Sequence, residues 1–259
     1  MKAMAHWIFL RGLARESRHW GRFVDDFAQA HPDARVVTLD LPGNGLRYHE
    51  PSPASVAGMV EAYRAQLAAL GLHAPYRLLA VSMGAMVAAE WSHRYPDEVA
   101  RQVLINTSMR PFSAFYQRLR PHNYGTLLRL IAMQITASQW ERAVLQLTTH
   151  RAHPEVLPYW QALREQFPVS RTNALRQLWA AARYCANGHR PAALTLVLVS
   201  AQDALVCATC SHALAAAWGA SVAVHPTAGH DLTLDDGPWV ATRVAEWSRN
   251  ANDFPLSRY

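Results

Sequence analysis

One serine lies between a short apolar run and a stretch of good helix formers. The apolar run covers residues 77–81 and the helix formers extend from Gly84 to Trp91, so Ser82 falls where a strand changes into a helix with no room for a loop. The local sequence Ala80-Val81-Ser82-Met83-Gly84 differs from the pattern G-x-S-x-G by one methyl group. The alternative is an ordinary strand-to-helix turn, but the pattern favours a sharp turn that exposes the Ser82 hydroxyl as a nucleophile.

Apolar runs of strand length alternate with helical patterns along most of the chain. The strand-like runs are 6–10, 35–39, 77–81, 102–106, 194–199 and 221–224. Strands that alternate with helices of ten or more residues form right-handed crossovers, which produce a parallel sheet. The sequence therefore predicts an α/β fold, with a mainly parallel sheet covered by helices on both faces.

Residues 109–190 interrupt this alternation. They contain helical patterns separated by Pro and Gly, at 127–134, 139–147, 155–166 and 172–186, and no strand-like run. An all-helical insertion in an α/β domain is typical of a lid over the carboxyl edge of the sheet, where ligands bind. The predicted organisation is a core of residues 1–108 and 191–259 and a helical lid, or cap subdomain, of residues 109–190.

Asp203 and His230 each follow one of the last two predicted strands. Taken singly, each is usually a turn residue or a cap. With Ser82 they give the chain order Ser, Asp, His, and the carboxyl ends of parallel strands meet at one edge, so we expect these three side chains to converge as a catalytic triad. Asn106 and Thr107 end the preceding strand without a carboxylate, so no competing acid is present there.

The triad interpretation assigns a role to each group. His230 is the base that takes the Ser82 proton, and Asp203 fixes the tautomer of the imidazole. Gly12 follows the first buried strand and lets the backbone direct N–H groups into a pocket. The backbone N–H groups of Leu13 and Met83 are therefore the predicted oxyanion donors.

Other acidic residues near these motifs are interpreted as structural. Asp40 is expected to brace the turn 40–45 through side-chain hydrogen bonds. Asp231, Asp235 and Asp236 are interpreted as turn residues and N-caps of the final helix.

Composition limits the class of protein. The chain has 259 residues, of which 51% are hydrophobic and 17% are charged, which is enough for a sizeable core. Three cysteines give no disulfide framework, and Cys207 and Cys210 are interpreted as two small buried residues at the start of a helix. No apolar stretch approaches a membrane span, and residues 1–6 lead directly into a predicted strand without a signal-peptide core, so we expect a cytoplasmic protein.

The positive charge is concentrated in residues 109–190. This segment carries 11 Arg and 3 acidic residues, a balance of +8, whereas the whole chain has a net charge of +6. One interpretation is a set of solvated helix faces. The sharper one is that an acidic partner, such as an acyl carrier protein, binds at Arg118, Arg129, Arg142, Arg176 and Arg183. A nucleic-acid partner is disfavoured because Lys2 is the only lysine and no binding motif is visible.

These motifs together resemble the α/β-hydrolase superfamily over essentially the whole chain. The motifs that carry the resemblance are Gly12-Leu13, the turn 40–45, Ser82, Asp203 and Gly229-His230-Asp231. More narrowly, the chain is similar to the small lidded bacterial carboxylesterases of the pimeloyl-acyl-carrier-protein methyl ester esterase type. That resemblance implies a role in biotin biosynthesis and a pocket-side tryptophan at Trp20. Arg11 is a departure, since the family usually has His before this glycine.

Apolar residues of the lid and loops are candidates for an acyl pocket. They are Trp20, Met83, Phe112, Phe115, Tyr116 and Met133, although each is also an ordinary core residue on spacing alone. An apolar pocket favours acyl chains over sugars. It does not choose between ester, thioester and lactone, which all pass through the same tetrahedral oxyanion.

The predicted function is therefore a serine esterase that acts through an acyl-enzyme. Two other classes stay open: a thioesterase or acyltransferase with the same triad, and a ligand-binding protein in which hydrolysis is vestigial. An intact Ser, Asp and His set argues against the ligand-binding class. No metal or organic cofactor is implied.

Overall fold

The computed structural model of the chain describes residues 5–132, 135–151 and 153–250. Six strands of this part form one sheet: β1 (Ala5–Leu10), β2 (Ala34–Thr38), β3 (Tyr76–Val81), β4 (Val99–Ile105), β5 (Leu194–Ser200) and β6 (Ser221–His225). The order across the sheet is β2-β1-β3-β4-β5-β6, and every neighbouring pair is parallel. The predicted α/β class is confirmed.

Helices cover both faces of the sheet. The helices outside the segment between β4 and β5 are α1 (Phe23–Ala30), α2 (Val56–Ala69), α3 (Met83–Arg94), α9 (Ala208–Trp218), α10 (Leu232–Asp235) and α11 (Gly237–Asn250). Alternate residues of β1 face opposite sides, because side chains alternate along a strand. Trp7 and Phe9 pack with α1 and α11, whereas Ile8 and Leu10 pack with α2, α3 and α9.

In the described part of the chain, five α-helices lie between β4 and β5, and we call residues 109–190 the helical insertion. They are α4 (Phe115–Arg118), α5 (Tyr124–Ala132), α6 (Ala137–Thr148), α7 (Val156–Gln166) and α8 (Arg171–Arg183). The sequence predicted four of them, but not the four-residue α4, which is too short for a periodic signal. Helix α8 ends at Arg183 and not at residue 186, because Tyr184 leaves the helical region with ψ of 131°.

Local polar contacts fix the start of α2 and the turn after β2. The Ser55 hydroxyl accepts a hydrogen bond from the Gly58 N–H and caps α2. Asp40 accepts hydrogen bonds from the N–H groups of Ser17 (2.7 Å) and Leu46 (3.1 Å), so its predicted bracing role is confirmed.

The two acids before the final helix also have structural contacts. Asp236 accepts a hydrogen bond from the Trp239 N–H and caps α11, as predicted. Asp235 accepts hydrogen bonds from the N–H groups of Gly229 (2.7 Å) and His150 (3.1 Å). It therefore braces the turn before His230 and also holds the end of α6.

Two further predictions concern the burial of cysteines and membrane-spanning helices. Of the two cysteines at the start of α9, Cys210 is buried but Cys207 is partly exposed, so that prediction is correct for one of them. Across the described ranges, we find no helix with both the length and the apolar character that crossing a bilayer requires.

Candidate active site

Ser82 occupies a strained turn between β3 and α3. Its backbone has φ of 56° and ψ of −117°, a conformation that a residue with a side chain rarely adopts. The turn is possible because two glycines lie against it. A Cβ atom on Gly84 would collide with the carbonyl oxygen of Leu10, and one on Gly12 would lie 3.3 Å from the Ser82 Cβ. The small residues around Ser82 are thus required by the close approach of β1 and α3.

Asp203 and His230 form a buried pair at the carboxyl edge of the sheet. His230 Nδ1 lies 2.7 Å from Asp203 Oδ2. The other carboxylate oxygen of Asp203 accepts hydrogen bonds from the N–H groups of Leu205 (2.8 Å) and Val206 (2.9 Å), which fixes the orientation of the carboxylate. Asp203 therefore presents one oxygen to the imidazole and keeps the other in its own turn.

The charge of Asp203 controls the protonation of His230. Burial disfavours the imidazolium and lowers the pKa of His230, but the charge of Asp203 and its hydrogen bond act in the opposite direction. The pKa of His230 is consequently raised above its ordinary value of 6.5. A raised pKa makes the imidazole a better proton acceptor.

Asn106 links the carboxyl ends of β4 and β5 to the loop after β6, a role that the sequence did not predict. Its side-chain Nδ2 donates hydrogen bonds to Ser200 Oγ (2.8 Å) and to the carbonyl oxygen of His230 (2.8 Å). Its Oδ1 accepts a hydrogen bond from the Ser200 N–H (2.7 Å). The residue has φ of 47°, and Asn tolerates this left-handed region better than most side chains. An Asn directly after a buried strand was the available signal for this position.

Asp231 is the N-cap residue of α10, as predicted, but its side chain pairs with Arg11 and does not cap the helix. The guanidinium of Arg11 contacts both carboxylate oxygens of Asp231, at 3.2 and 2.6 Å, and also Thr233 Oγ1. Burial raises the pKa of Asp231, but the Arg11 charge and hydrogen bonds outweigh it and hold this pKa below its usual value. Arg11, which stands where the family usually has His, therefore links the loop after β1 to the residue that follows His230.

A cavity of about 400 Å³ lies between the core and the helical insertion. Ser82 and His230 both line it, as do Leu13 and Met83. The N–H groups of Leu13 and Met83 have no hydrogen-bond partner among the described residues, so they are free to meet a ligand oxygen. No hydrogen bond joins the Ser82 hydroxyl to His230 in the described part of the chain, and such contacts often tighten only when substrate binds.

The walls of the cavity are mainly apolar side chains of the helical insertion. They include Leu127, Leu130, Trp140, Val144, Leu147 and Leu178. Of the predicted acyl-pocket residues, Met83 and Phe115 line the cavity, and Met133 lies outside the described residues. These wall residues were not predicted, although the amphipathic pattern of α5 and α6 could have indicated those on these two helices.

Three of the predicted pocket residues do not line this cavity. Trp20 is buried in the core, where its ring packs against Phe9 and lies under the Arg11 guanidinium. Phe112 packs against Trp218 and does not line the cavity. Tyr116 is 53% exposed and does not line the cavity. Trp20 and Phe112 have local packing partners that spacing alone does not separate from ligand binding.

The sequence profile of one protein family, described as the alpha/beta hydrolase fold, matches residues 6–236. The chain belongs to this family. The Teredinibacter turnerae "Biotin biosynthesis bifunctional protein BioHC" is 25% identical in a 198-residue alignment that covers 66% of this chain and 34% of that protein. The Pelobacter propionicus "Homoserine O-acetyltransferase" is 35% identical over 71 residues, 27% of this chain and 19% of that protein. This hydrolase-fold chain thus spans well under two thirds of both curated relatives.

Solved structures share the same fold. A thermophilic esterase from Thermogutta terrifontis, solved with malate bound, superposes with a TM-score of 0.72 at 22% identity. The match covers 95% of this chain and 90% of the esterase. At this identity the likeness demonstrates the common hydrolase architecture.

The five arginines predicted to bind a partner fall into two groups. Arg129, Arg142, Arg176 and Arg183 are exposed on the helical insertion. Arg118 is half-buried, lines the cavity and donates hydrogen bonds to the carbonyl oxygens of Ala181 and Ala182 at the end of α8. Burial lowers the pKa of Arg118, and the neighbouring Arg110 lowers it further. The structure therefore separates a cavity arginine from four surface arginines.

Proposed function

We propose that this hydrolase-fold protein is a serine esterase that cleaves carboxylic esters through Ser82, His230 and Asp203. The observation that carries the proposal is the 2.7 Å contact between His230 and Asp203 at the rim of the cavity that Ser82 also lines. The strained backbone of Ser82 is independent support, because such strain persists where function needs an exposed side chain.

The proposed reaction has two halves. In the first, His230 Nε2 takes the Ser82 proton, Ser82 Oγ attacks the ester carbonyl carbon, and His230 then returns the proton to the departing alcohol. In the second, His230 takes a proton from water, the water oxygen attacks the acyl carbonyl carbon, and the bond from that carbon to Ser82 Oγ breaks. His230 then returns the proton to Ser82 Oγ as the carboxylic acid leaves. The N–H groups of Leu13 and Met83 stabilise the oxyanion in both halves, each contributing about 3–4 kcal/mol.

The lining of the cavity supports an acyl chain as the substrate group. Its insertion side is built from leucine, valine and tryptophan side chains, which favour hydrocarbon over sugar. Among the described residues, the Arg118 guanidinium has carbonyl oxygens and no carboxylate as hydrogen-bond partners, so it can bind a polar end of the substrate. The similarity to a biotin-biosynthesis protein and the fold shared with an esterase are consistent with acyl ester substrates.

The exposed arginines support an acidic carrier protein as the donor of the acyl group. Arg176 and Arg183 are seven residues apart on α8, so they share one helix face. Reversing both charges (Arg176→Glu/Arg183→Glu) is expected to lower kcat/KM for carrier-bound esters at least about tenfold, because electrostatic steering is lost. Hydrolysis of small esters should change little.

The control for charge reversal is the double variant Arg35→Glu/Arg249→Glu. These arginines are exposed on β2 and α11, and the net charge changes by the same amount. If the control lowers the rate for carrier-bound esters as much as the α8 variant does, or if neither changes it, the carrier proposal is wrong.

The esterase proposal is tested by hydrolysis of p-nitrophenyl esters with two to ten acyl carbons. Ser82→Ala is expected to lower kcat about 10⁴-fold or more, because the nucleophile is removed. Ser221→Ala, at the exposed amino end of β6, should keep the parental rate. Retention of most of the activity by Ser82→Ala would show that another group performs the reaction.

Acyl transfer is the second candidate function, favoured by the 35% identity to a homoserine O-acetyltransferase over 71 residues. An acyltransferase would pass the acyl group from Ser82 to an alcohol or amine in place of water. Product analysis in the presence of added alcohols and amines distinguishes the two. An esterase is expected to give the free acid as the main product at every acceptor concentration that leaves the protein folded.

A further inference from the structure

The loop after β1 contains a second strained residue. Ala14 has φ of 54°, in the left-handed region, and it directly follows Leu13, whose N–H is a proposed oxyanion donor. A residue with a side chain stays in this region only where the surrounding structure holds it there. The contacts of Ala14 therefore bear on the direction of the Leu13 N–H.

The residue that holds Ala14 comes from the helical insertion. Gln177 lies on α8 and is fully buried, and its Oε1 accepts a hydrogen bond of 2.8 Å from the Ala14 N–H. Its Nε2 donates to Asn44 Oδ1 (2.7 Å) and Ser52 Oγ (2.9 Å). These two acceptors determine which end of the amide faces Ala14.

The same network also holds the next residue of the loop. Asn44 Nδ2 donates a hydrogen bond of 2.8 Å to the carbonyl oxygen of Arg15. A chain of hydrogen bonds thus runs from the Ala14 N–H through Gln177 and Asn44 to Arg15, and every member is buried. Such networks fix one arrangement because leaving any member unpaired is unfavourable.

A second helix of the insertion holds this loop independently. The Arg15 guanidinium pairs with the carboxylate of Glu141, on α6, at 2.5 Å, and both side chains are buried. The Arg15 guanidinium also lies over the ring of Trp160, on α7. The loop that carries the proposed oxyanion donor is therefore fastened to the insertion at two successive residues.

We propose that Gln177 is a positioning residue that holds the Leu13–Ala14 peptide so that the Leu13 N–H points at the substrate oxyanion. This inference rests on the proposed esterase function. Fixing the peptide plane that contains the Ala14 N–H restricts rotation about the bonds of Leu13. Without the Gln177 acceptor, the strained Ala14 relaxes and the Leu13 N–H turns away from the cavity. Closure of the insertion over the core thereby completes the site chemically as well as covering it.

The test compares three variants of α8. Gln177→Met removes the acceptor. Gln177→Glu keeps an oxygen that can accept from the Ala14 N–H and, in the protonated form that burial favours, an O–H that can donate to Asn44 Oδ1. Asn173→Ala is the matched control: Asn173 is also buried on α8, and it binds Ser52 N–H and the Glu50 carbonyl oxygen but not residues 12–15. For each variant we would measure kcat and KM for a small p-nitrophenyl ester, and Ki for a trifluoromethyl ketone whose adduct with serine carries an oxyanion.

Gln177→Met is expected to lower kcat by about 10–100-fold and to raise Ki for the trifluoromethyl ketone by a similar factor. KM should change less than about threefold, because oxyanion contacts act in the transition state. Gln177→Glu should restore most of kcat, and Asn173→Ala should leave kcat and Ki within about threefold of the parent protein. If the methionine variant does not fold, Gln177→Ala takes its place.

Two results would overturn the inference. One is a Gln177→Met variant with parental kcat and Ki. The other is an Asn173→Ala variant whose kcat falls and whose Ki rises as much as in Gln177→Met, which would indicate general loosening of the insertion. Failure of the esterase proposal has a different signature, since Ser82→Ala would then keep its activity. Loss of activity in Ser82→Ala together with unchanged Gln177→Met would refute the positioning role alone.

Discussion

Two sides of the candidate site are held in place by different kinds of contact. The side chains of the acid–base side, which we define as Asp203, His230 and Asn106, bond to one another and to residues of the core. The insertion contacts this side at backbone atoms of the turns after β5 and β6. The loop after β1 depends on two buried side chains of the insertion, Gln177 and Glu141. The insertion therefore contacts both sides, but the loop of the proposed oxyanion donor is the one that requires a side-chain acceptor from it.

The largest effect is expected on the acid–base side. Asp203→Asn leaves the shape of the turn but removes the charge that stabilises the imidazolium, so kcat should fall about 10⁴-fold. Asp40→Asn, a buried acid that braces a turn beside the loop after β1, should cost far less in rate. Steady-state kinetics of both variants on one ester check this. Equal losses would mean that buried carboxylates act here only through stability.

The Arg11–Asp231 pair joins the two sides, and breaking it should mainly affect stability. Arg11→Met leaves the Asp231 carboxylate buried without its partner, which is expected to lower the free energy of unfolding by about 3–5 kcal/mol. The double variant Arg11→Met/Asp231→Leu should be more stable than Arg11→Met. Urea denaturation measures both values, and a double variant less stable than either single one would contradict this account of the pair.

Asn106 offers a smaller and more local test. Asn106→Ala removes the contacts to Ser200 and to the His230 carbonyl oxygen, so the imidazole should be less well placed and kcat should fall about 10–100-fold. Asn123→Ala is a fair control, because Asn123 is also buried and binds the nearby Ala204 carbonyl oxygen. The prediction fails if the two variants lose rate to the same extent.

The smallest predicted effect is in the pH dependence. His230 acts as a base only when neutral, and Asp203 raises its pKa, so kcat/KM should increase with pH through an apparent pKa above 6.5 and level off beyond it. In Asp203→Asn the residual activity should show this acid limb at lower pH. An unchanged acid limb in that variant would assign the titration to another group.

The sequence predicted the features that depend on short stretches of chain. Strand and helix patterns gave the parallel sheet, and the small residues around Ser82 gave the turn that Gly84 and Gly12 permit. Asp203 and His230 could be paired because each follows a core strand, and parallel topology brings such ends together.

The features that the sequence did not predict depend on contacts between distant segments. Gln177 has no local signal, because its partners lie more than 120 residues away along the chain. Arg11 and Asp231 are 220 residues apart. Trp20 was misplaced for a different reason: Phe9 and Arg11 are close to it in sequence, but spacing alone does not show that they enclose its ring.

The most direct measurement of the central claim is the site and rate of fluorophosphonate labelling, followed by intact-protein and peptide mass spectrometry. We expect one label per chain, on Ser82, at the same rate in the parent protein and in Ser108→Ala, which removes the other serine of the cavity lining. The label should form at least about a thousandfold more slowly in His230→Ala, because the base is lost. A label on another residue, or equal rates in the parent and His230→Ala, would contradict the account.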